Sequence, residues 1–171
     1  MKTIYLSLGS NVGDRAANIA RAIESLTSAG VRVTRQSSLY ETEPVDVRGG
    51  GWFLNCVVEA ETDLMPKQLM HTLLEIERSL GRRRLPGAQA PHGLKEPRTI
   101  DIDILLFGSS IVRMPELEIP HPRMAERRFV LVPFAEIAPS TRHPVLKQTI
   151  AELLAETPDR SQVRRSEGRR G

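Results

Sequence analysis

Residues 98–107 limit the possible folds of this chain most strongly, because they alternate polar and apolar side chains before becoming wholly apolar. Successive side chains of a β-strand point to opposite faces of its sheet, so Ile100, Ile102 and Ile104 would enter a core from one face. The apolar continuation through Phe107 is typical of strands that are covered on both faces. The pattern therefore predicts an inner strand of a covered sheet.

Asp101 and Asp103 fall on the opposite face of this strand, with Cα atoms roughly 7 Å apart. Two carboxylates this close repel each other unless a cation lies between them. Carboxylate oxygens suit Mg²⁺, which completes its shell with water and phosphate oxygens. Arg98 adds a guanidinium of the kind that binds phosphate. These residues predict a metal-assisted phosphate site, and the alternative is a solvated acidic face on an edge strand.

The charge of the chain is concentrated at its end. The length of 171 residues and the hydrophobic content of 40% fit one domain with its own core. The formal net charge of +3 arises in residues 158–171, where five Arg outweigh Asp159 and Glu167. We therefore expect a neutral domain over residues 1–157 and a basic, disordered tail over residues 158–171. A neutral domain also argues against nucleic acid as a partner.

The apolar segments are too short for a membrane protein. No apolar run approaches the roughly 18 residues of a spanning helix, and the first residues are too short and too alternating for a signal peptide. Cys56 is the single cysteine, so an internal disulfide is excluded. We expect no membrane partner and a reducing, cytoplasmic location.

Hydrophobic periodicity predicts the order of the main elements. Strands are expected over residues 2–10, 31–42 and 52–62, and helices over residues 14–28, 66–81 and 147–156. A short hairpin follows Gly108, and a brief helix runs to Arg128. The order of strands and helices predicts an α+β fold, a ferredoxin-like antiparallel sheet with helices packed on it and additions at the C-terminal end.

Cationic side chains gather in the loops around the acidic strand. His121 lies between two prolines, which fix its backbone and hold the imidazole in place. Cations around a carboxylate-bound metal are typical of phosphoryl-transfer sites, in which positioning and charge neutralisation supply nearly all the catalysis. The cations concerned are Arg82, Arg83, Arg84, Arg98, His121, Arg123, Arg127 and Arg128.

Six short motifs recur in a fixed order along the chain. They are Gly9-Ser10-Asn11-x-Gly13-Asp14, Thr42-x-Pro44 with Phe53-Leu54-Asn55, Gly81-Arg82-x-Arg84, Pro97-Arg98-Thr99-x-Asp101-x-Asp103-Ile104, Pro120-His121-Pro122-x-Met124 with Arg127-x-Phe129, and Glu136-Ile137-Ala138-Pro139. Over about residues 2–140 the chain resembles the 6-hydroxymethyl-7,8-dihydropterin pyrophosphokinases of folate biosynthesis. The resemblance implies transfer of the diphosphate of ATP to the pterin hydroxymethyl group, with release of AMP, by a monomer whose partners are these two substrates.

The resemblance also implies roles for individual residues. Asp101 and Asp103 would bind two Mg²⁺ ions that bridge the ATP phosphates. The nucleotide would be held by Glu77, Arg82, Arg84, Lys95, Arg98, Ile104, His121 and Arg127, and Arg82 and Arg98 would also act in catalysis. The pterin would stack between Phe53 and Phe129, pair with Asn55, and lie against Thr42, Pro44 and Val45.

The sequence departs from the family pattern at three places. Lys95 and Glu96 stand where members commonly place an aromatic contact to ATP, so that contact is absent here. The loop of residues 85–96 is longer than usual. Glu116 and Glu118 stand where some members place ATP-contacting Arg and Thr residues.

Two other classes of protein fit parts of the sequence. An RNA-binding ferredoxin-like module would need aromatic residues on the sheet face and a strongly basic body. This chain instead has a neutral body and places Asp101 and Asp103 on one face of a predicted strand. A phosphodiesterase or glycosyltransferase would share the Asp-x-Asp pair but would need water activation or sugar-nucleotide contacts, to which no residue here points.

Overall fold

The computed structural model describes residues 1–44, 51–81 and 99–166. Its strands are β1 (Lys2–Ser10), β2 (Val31–Gln36), β3 (Tyr40–Thr42), β4 (Phe53–Thr62), β5 (Asp101–Phe107), β6 (Val112–Met114), β7 (Leu117–Ile119) and β8 (Val163–Arg165). Its helices are α1 (Arg15–Ser28), α2 (Pro66–Ser79), α3 (Arg128–Ile137) and α4 (Ile150–Glu156), with a 3-10 turn at Met124–Glu126.

Six of the strands form one antiparallel sheet, and β6 and β7 form a separate hairpin. The order in the sheet is β5-β1-β4-β3-β8, and β2 pairs with the C-terminal part of β4. β1 thus lies between β4 and β5 and is antiparallel to both. The predicted ferredoxin-like sheet is confirmed, because strand, helix, split strand, strand, helix and strand follow one another from β1 to β5. The C-terminal additions are α3, α4 and β8.

Helices cover both faces of the sheet. On one face, alternate residues of β1, β4 and β5 pack against α1 and α2, and on the other face Tyr5, Val57 and Leu105 pack against α3 and α4. The alternation along β1 accounts for this division, since odd and even positions point to opposite faces. Among the described residues, no helix is long and apolar enough to cross a membrane.

β5 lies at the edge of the described sheet, so the prediction of an inner strand was wrong. Its apolar residues are buried nonetheless, because helices cover both faces. The outer edge of β5 is met by the chain that leaves the β6–β7 hairpin, where the His121 N–H donates to the Leu105 carbonyl over 3.0 Å. The apolar composition of a strand indicates that its two faces are covered, but it does not show whether the strand has a neighbour along each edge.

The apolar run that follows Arg128 forms most of α3, a helix that was not expected from the sequence, and the brief helix expected before it corresponds to the 3-10 turn Met124–Glu126. Pro133 lies inside this helix. Val130, Leu131 and Phe134 are buried against the sheet at 3%, 0% and 0% exposure. Burial of these side chains stabilises a helix whose proline would weigh against it in isolation.

The segment expected to be a disordered tail contributes a strand to the sheet. β8 pairs with β3, with Val163 opposite Thr42 and Arg165 opposite Tyr40. The prediction of a disordered tail is therefore wrong for residues 158–166. Charge composition suggested disorder, but the unpaired edge of β3 offers backbone groups with which any extended segment can pair.

Cys56 is fully buried in the core between the sheet and α1 and α2. Burial raises the pKa of its thiol to about 12, because the thiolate would lie among apolar side chains. We expect the native protein at pH 8 to react with a disulfide reagent at least about 1,000-fold more slowly than the unfolded protein, since reaction requires opening of the core. Thiol titration in buffer and in guanidinium chloride measures this ratio. Rapid stoichiometric labelling in buffer would contradict it.

Candidate functional site

One row of paired residues crosses the sheet and links the acidic strand to the predicted pterin pocket. Asp101 lies opposite Gly9, Gly9 lies opposite Asn55, and Asn55 lies opposite Tyr40. Directly paired residues of antiparallel strands point to the same face. Asp101 and Asn55 are therefore two strand spacings apart, about 10 Å between Cα atoms. They lie on the face that α3 and α4 cover farther along the strands.

Asp101 and Asp103 share this face, as predicted, and both are half-buried. The alternating Ile102 is 6% exposed and belongs to the core on the opposite face. On β1, the residues paired with the two acids are Gly9 and Ser7, which are both small. The acids therefore form a carboxylate pair beside a part of the sheet that carries little side-chain bulk.

The donor set of this pair fits a hard cation. Within residues 1–44, 51–81 and 99–166 there is no group of three or more His, Cys, Asp or Glu side chains that could hold a metal. Two carboxylates alone would leave most ligand positions to water and to phosphate oxygens, which is the usual coordination of Mg²⁺ in phosphate-binding sites. Asp101 and Asp103 are thus suited to a metal that arrives with a phosphorylated substrate.

A cleft of about 480 Å³ opens along the outer edge of β5. It lies between α2 and the β6–β7 hairpin, and both acids of β5 line it. Ile104, predicted from its motif to contact the nucleotide, is 6% exposed and contributes an apolar part of the wall. Glu116 and Glu118 of the hairpin line the same cleft and make its mouth acidic.

Glu77 holds β5 to α2 beneath this cleft. Its side chain is only 2% exposed, and its carboxylate accepts a hydrogen bond from the Ile102 N–H over 2.7 Å. Ile102 stands between the two acids, so this bond fixes the backbone of the acidic strand. The sequence placed Glu77 near the nucleotide, and the structure places it in the cleft wall with a contact to β5.

His121 enters the cleft from the chain that follows the hairpin. Its backbone N–H donates to β5, and its Nδ1 accepts from the Arg123 N–H over 3.2 Å. The backbone hydrogen bond and the Nδ1 contact hold the ring in position, as expected from the two flanking prolines.

Asn55, predicted to pair with a heterocycle, is held by a neighbouring hydroxyl. The Thr42 hydroxyl donates to Asn55 Oδ1 over 2.7 Å, and the two residues are 2% and 4% exposed. The Asn55 Nδ2 lies over Gly9, where a Cβ atom would come within 2.6 Å of it. Thr42 thus holds the Oδ1 end of the amide, and the missing side chain of Gly9 leaves room for the Nδ2 end.

Phe53 and Phe129 are both half-buried. Phe53 is the first residue of β4 and pairs with Thr42, so it shares the face that bears Asn55. Phe129 lies in the first turn of α3 and packs partly against the core on this face. The Arg127 guanidinium lies 5.5 Å from the centroid of the Phe129 ring and is 8% exposed. Pro44, also predicted for this pocket, is exposed after the end of β3.

Several predicted site residues lie outside the described residues. They are Val45, Arg82, Arg84, Lys95 and Arg98. Their roles remain predictions from the sequence motifs.

Gly9 belongs to the first of the six motifs, but the sequence assigned it no role of its own in the site. Its space is needed by Asn55, and the Phe53 ring also lies 3.5 Å from the place of a Cβ atom. A signal for this role was present in β1, where Ser7 and Gly9 alternate with Leu6 and Leu8. Small residues on one face of a strand can mark the close approach of other groups.

Comparison with known proteins finds a family model that matches residues 5–139, described as 7,8-dihydro-6-hydroxymethylpterin-pyrophosphokinase (HPPK). A 2-amino-4-hydroxy-6-hydroxymethyldihydropteridine pyrophosphokinase of Bacillus subtilis is 46% identical over 134 residues, which are 78% of this chain and 76% of that protein. One of the same name from Aquifex aeolicus is 37% identical over 156 residues, covering 91% and 92% of the two chains.

Longer proteins also contain a similar region. The folic acid synthesis protein fol1 of Pneumocystis carinii is 39% identical over 158 residues, and this chain spans 20% of its length. In the crystal structure of wild-type Plasmodium falciparum HPPK-DHPS with pteroate, the similar part has a TM-score of 0.69 at 15% identity. It covers 91% of this chain and 44% of that one. The likeness to the Plasmodium structure supports the fold.

Proposed function

The chain belongs to the 7,8-dihydro-6-hydroxymethylpterin-pyrophosphokinase family, and from this we propose how its residues carry out diphosphate transfer in folate biosynthesis. The reaction moves the diphosphate of ATP to the hydroxymethyl group of 6-hydroxymethyl-7,8-dihydropterin and yields AMP. The row from Asp101 through Gly9 to Asn55 is the observation that carries the proposal. It sets a carboxylate pair and an amide about 10 Å apart on one face, so a heterocycle paired with Asn55 could direct its hydroxymethyl group toward an ATP phosphate held at the acids.

Asp101 and Asp103 are assigned as the residues that hold two Mg²⁺ ions. Mg²⁺ held by these carboxylates together with ATP would supply positive charge that offsets the charge of the phosphates. Glu77 contributes by fixing the backbone between the two acids, so that both carboxylates keep their position during the reaction.

Asn55, Thr42, Phe53 and Phe129 are assigned to the pterin. The Asn55 amide can donate and accept at once, and therefore suits the amide edge of the heterocycle. Thr42 donates to Asn55 Oδ1, and this hydrogen bond also fixes the direction in which Nδ2 points. The two phenylalanine rings would stack on the flat faces of the pterin.

The nucleotide is assigned to the cleft beside β5. His121 lines this cleft with a ring held by its Nδ1 contact, and Arg127, assigned to the phosphates from its motif, lies beside Phe129 at the start of α3. The pterin hydroxyl would attack the β-phosphorus while the bond to the AMP oxygen breaks, and the loose transition state requires little of a general base. From the sequence motifs, Arg82 and Arg98 act in catalysis, and Arg84 and Lys95 help to hold the phosphates, as Val45 and Pro44 line the pterin pocket.

The proposed site is built from a single chain, which is consistent with a monomer. Helices pack on both faces of the described part of the sheet, whereas the RNA-binding alternative would need a broad open face with aromatic residues. A single buried thiol suits a reducing compartment, and the cytoplasm remains the proposed location.

The test is an incubation of the protein with MgATP, with and without 6-hydroxymethyl-7,8-dihydropterin, followed by separation of the nucleotides. We expect AMP only in the presence of the pterin, in amounts equal to the pterin diphosphate. The matched control is 6-methyl-7,8-dihydropterin, which lacks the attacking hydroxyl and should give no AMP. Release of ADP and phosphate, or no AMP with the hydroxymethyl compound, would overturn the proposal.

A further inference from the structure

The end of the described chain returns to the predicted pterin pocket. Residues 159–165 run along β3 and the start of α3, and we call them the C-terminal clamp. In this clamp, Gln162 and Glu43 exchange hydrogen bonds: the Gln162 N–H donates to the Glu43 carboxylate over 2.8 Å, and the Glu43 N–H donates to the Gln162 carbonyl over 3.2 Å. The Arg164 guanidinium lies 5.0 Å from the centroid of the Trp52 ring. The clamp thus contacts the residues that directly follow Thr42 and directly precede Phe53, two predicted pocket residues that pair with each other.

Asp159 connects this clamp to α3. Its Oδ2 accepts from the N–H of Arg128, the first residue of the helix, over 2.7 Å. Its Oδ1 accepts from the N–H and the hydroxyl of Ser161 over 2.9 and 2.7 Å. The Arg128 Nε also donates to the Ser161 carbonyl over 3.2 Å. Asp159 is therefore held on both sides, by its own turn and by the helix.

The hydrogen bond between Asp159 and the Arg128 N–H supplies an N-terminal cap for α3. The first N–H groups of a helix have no partner within the helix, and a preceding Ser, Thr, Asp or Asn usually caps them. Here the preceding residue is Arg127, which makes no side-chain cap. A carboxylate at this end is also favoured by the helix dipole. Asp159 therefore caps α3 from a position 31 residues farther along the chain.

The ionisation of Asp159 agrees with this geometry. Burial would raise the pKa of its carboxyl, but the hydrogen bonds from Arg128 and Ser161 favour the carboxylate and bring the pKa below its ordinary value. The side chain is charged at neutral pH, where it caps the helix.

We propose that Asp159 is a positioning residue for the pterin half of the site, acting through the first turn of α3. Phe129 directly follows the N–H that Asp159 binds, and its ring is one of the two assigned to the pterin. Stacking depends on the spacing between two facing rings, so a small displacement of this turn weakens it. This inference rests on the proposed function, since it concerns the same pocket.

The test compares Asp159→Ala with Asp159→Asn, because Asn keeps one oxygen that can accept from the Arg128 N–H. We expect Asp159→Ala to raise KM for the pterin about tenfold with kcat reduced less than about threefold, and Asp159→Asn to stay within about threefold of wild type. The matched control is Glu156→Ala, since Glu156 is an exposed acid of α4 whose side chain accepts a hydrogen bond from Gln148.

A direct measurement of pterin binding distinguishes a positioning role of Asp159 from a role in folding alone. Calorimetric titration with 6-hydroxymethyl-7,8-dihydropterin, in the presence of Mg²⁺ and α,β-methylene-ATP, gives the pterin Kd well below each variant's Tm. We expect the Kd of Asp159→Ala to rise about tenfold, as KM does, and the Kd for the ATP analogue to change less than about threefold. If Asp159→Ala does not fold, Asp159→Ser replaces it with the same expected rise, because its hydroxyl is too short to reach the helix.

A lowered Tm with an unchanged pterin Kd would overturn the proposal, because Asp159 would then serve the fold alone. An equal loss in Glu156→Ala would also overturn it. Wild-type protein that neither binds the pterin nor forms AMP would refute the proposed function itself and this inference with it. The wild-type measurement therefore distinguishes the two failures.

Discussion

Replacing Asp103 by alanine is expected to lower kcat for diphosphate transfer by at least about 1,000-fold and to leave the fold intact. Asp103 supplies one of two carboxylates in a described site where no third protein ligand joins them. Its loss would leave a metal with a single carboxylate and the phosphate charge poorly neutralised. The fold should survive because the half-buried Asp103 lies outside the hydrophobic cores, while Ile102 and Ile104 keep the strand packed.

The measurement is steady-state AMP formation over a range of Mg²⁺ concentrations, with Tm recorded for each variant. Asp63→Ala is the matched control, since Asp63 is an exposed acid that pairs with the N-terminus at the other end of β4, and it should keep wild-type kcat. Asp103→Ala with kcat within about tenfold of wild type at saturating Mg²⁺ would refute the metal assignment.

Gly9→Ala is expected to weaken pterin binding by about 100-fold and to destabilise the fold by about 1–3 kcal/mol. The new methyl group would lie 2.6 Å from Asn55 Nδ2, well inside contact distance. Asn55 is only 4% exposed and is held by Thr42, so its amide has little room to turn away. The amide would lose either its bond to Thr42 or its orientation toward the ligand.

A double variant distinguishes this clash from a general effect on β1. In Gly9→Ala with Asn55→Ala, the clash is absent, and we expect the Tm to recover while pterin binding stays as weak as in Asn55→Ala alone. Gly51→Ala is the control for adding a methyl group, since among the described residues no atom beyond its chain neighbours lies within 4 Å of its Cβ position. Wild-type pterin affinity in Gly9→Ala, measured by calorimetry, would show that Asn55 does not need this space.

Local periodicity was sufficient for the elements that matter most to the site. The alternation from Thr99 to Ile104 predicted that Asp101 and Asp103 share a face, and the structure confirms it. The helical spacing of apolar residues predicted α1 and α2, and Pro66 marked the start of α2 as expected. These features depend on a few neighbouring residues, so a single sequence carries them. The order of the six motifs likewise indicated the family before any contact was known.

Long-range pairing decided the rest. The pairing of β1 with β5 places a small residue opposite each of the two acids. The pairing of β1 with β4 places Asn55 opposite Gly9. The edge position of β5, the formation of α3 and the return of the C-terminal clamp also depended on contacts between distant segments.

The sequence by itself determined which side chains alternate and which segments form the principal helices, and its motifs predicted the residues for a metal and for a heterocycle. Only the tertiary structure decided which strands are neighbours, that Gly9 makes room for Asn55, and that Asp159 caps α3. The physical reason is that side-chain periodicity is a local property of the chain. Strand register and helix capping from a distance are fixed by the burial and hydrogen bonding of residues far apart in sequence.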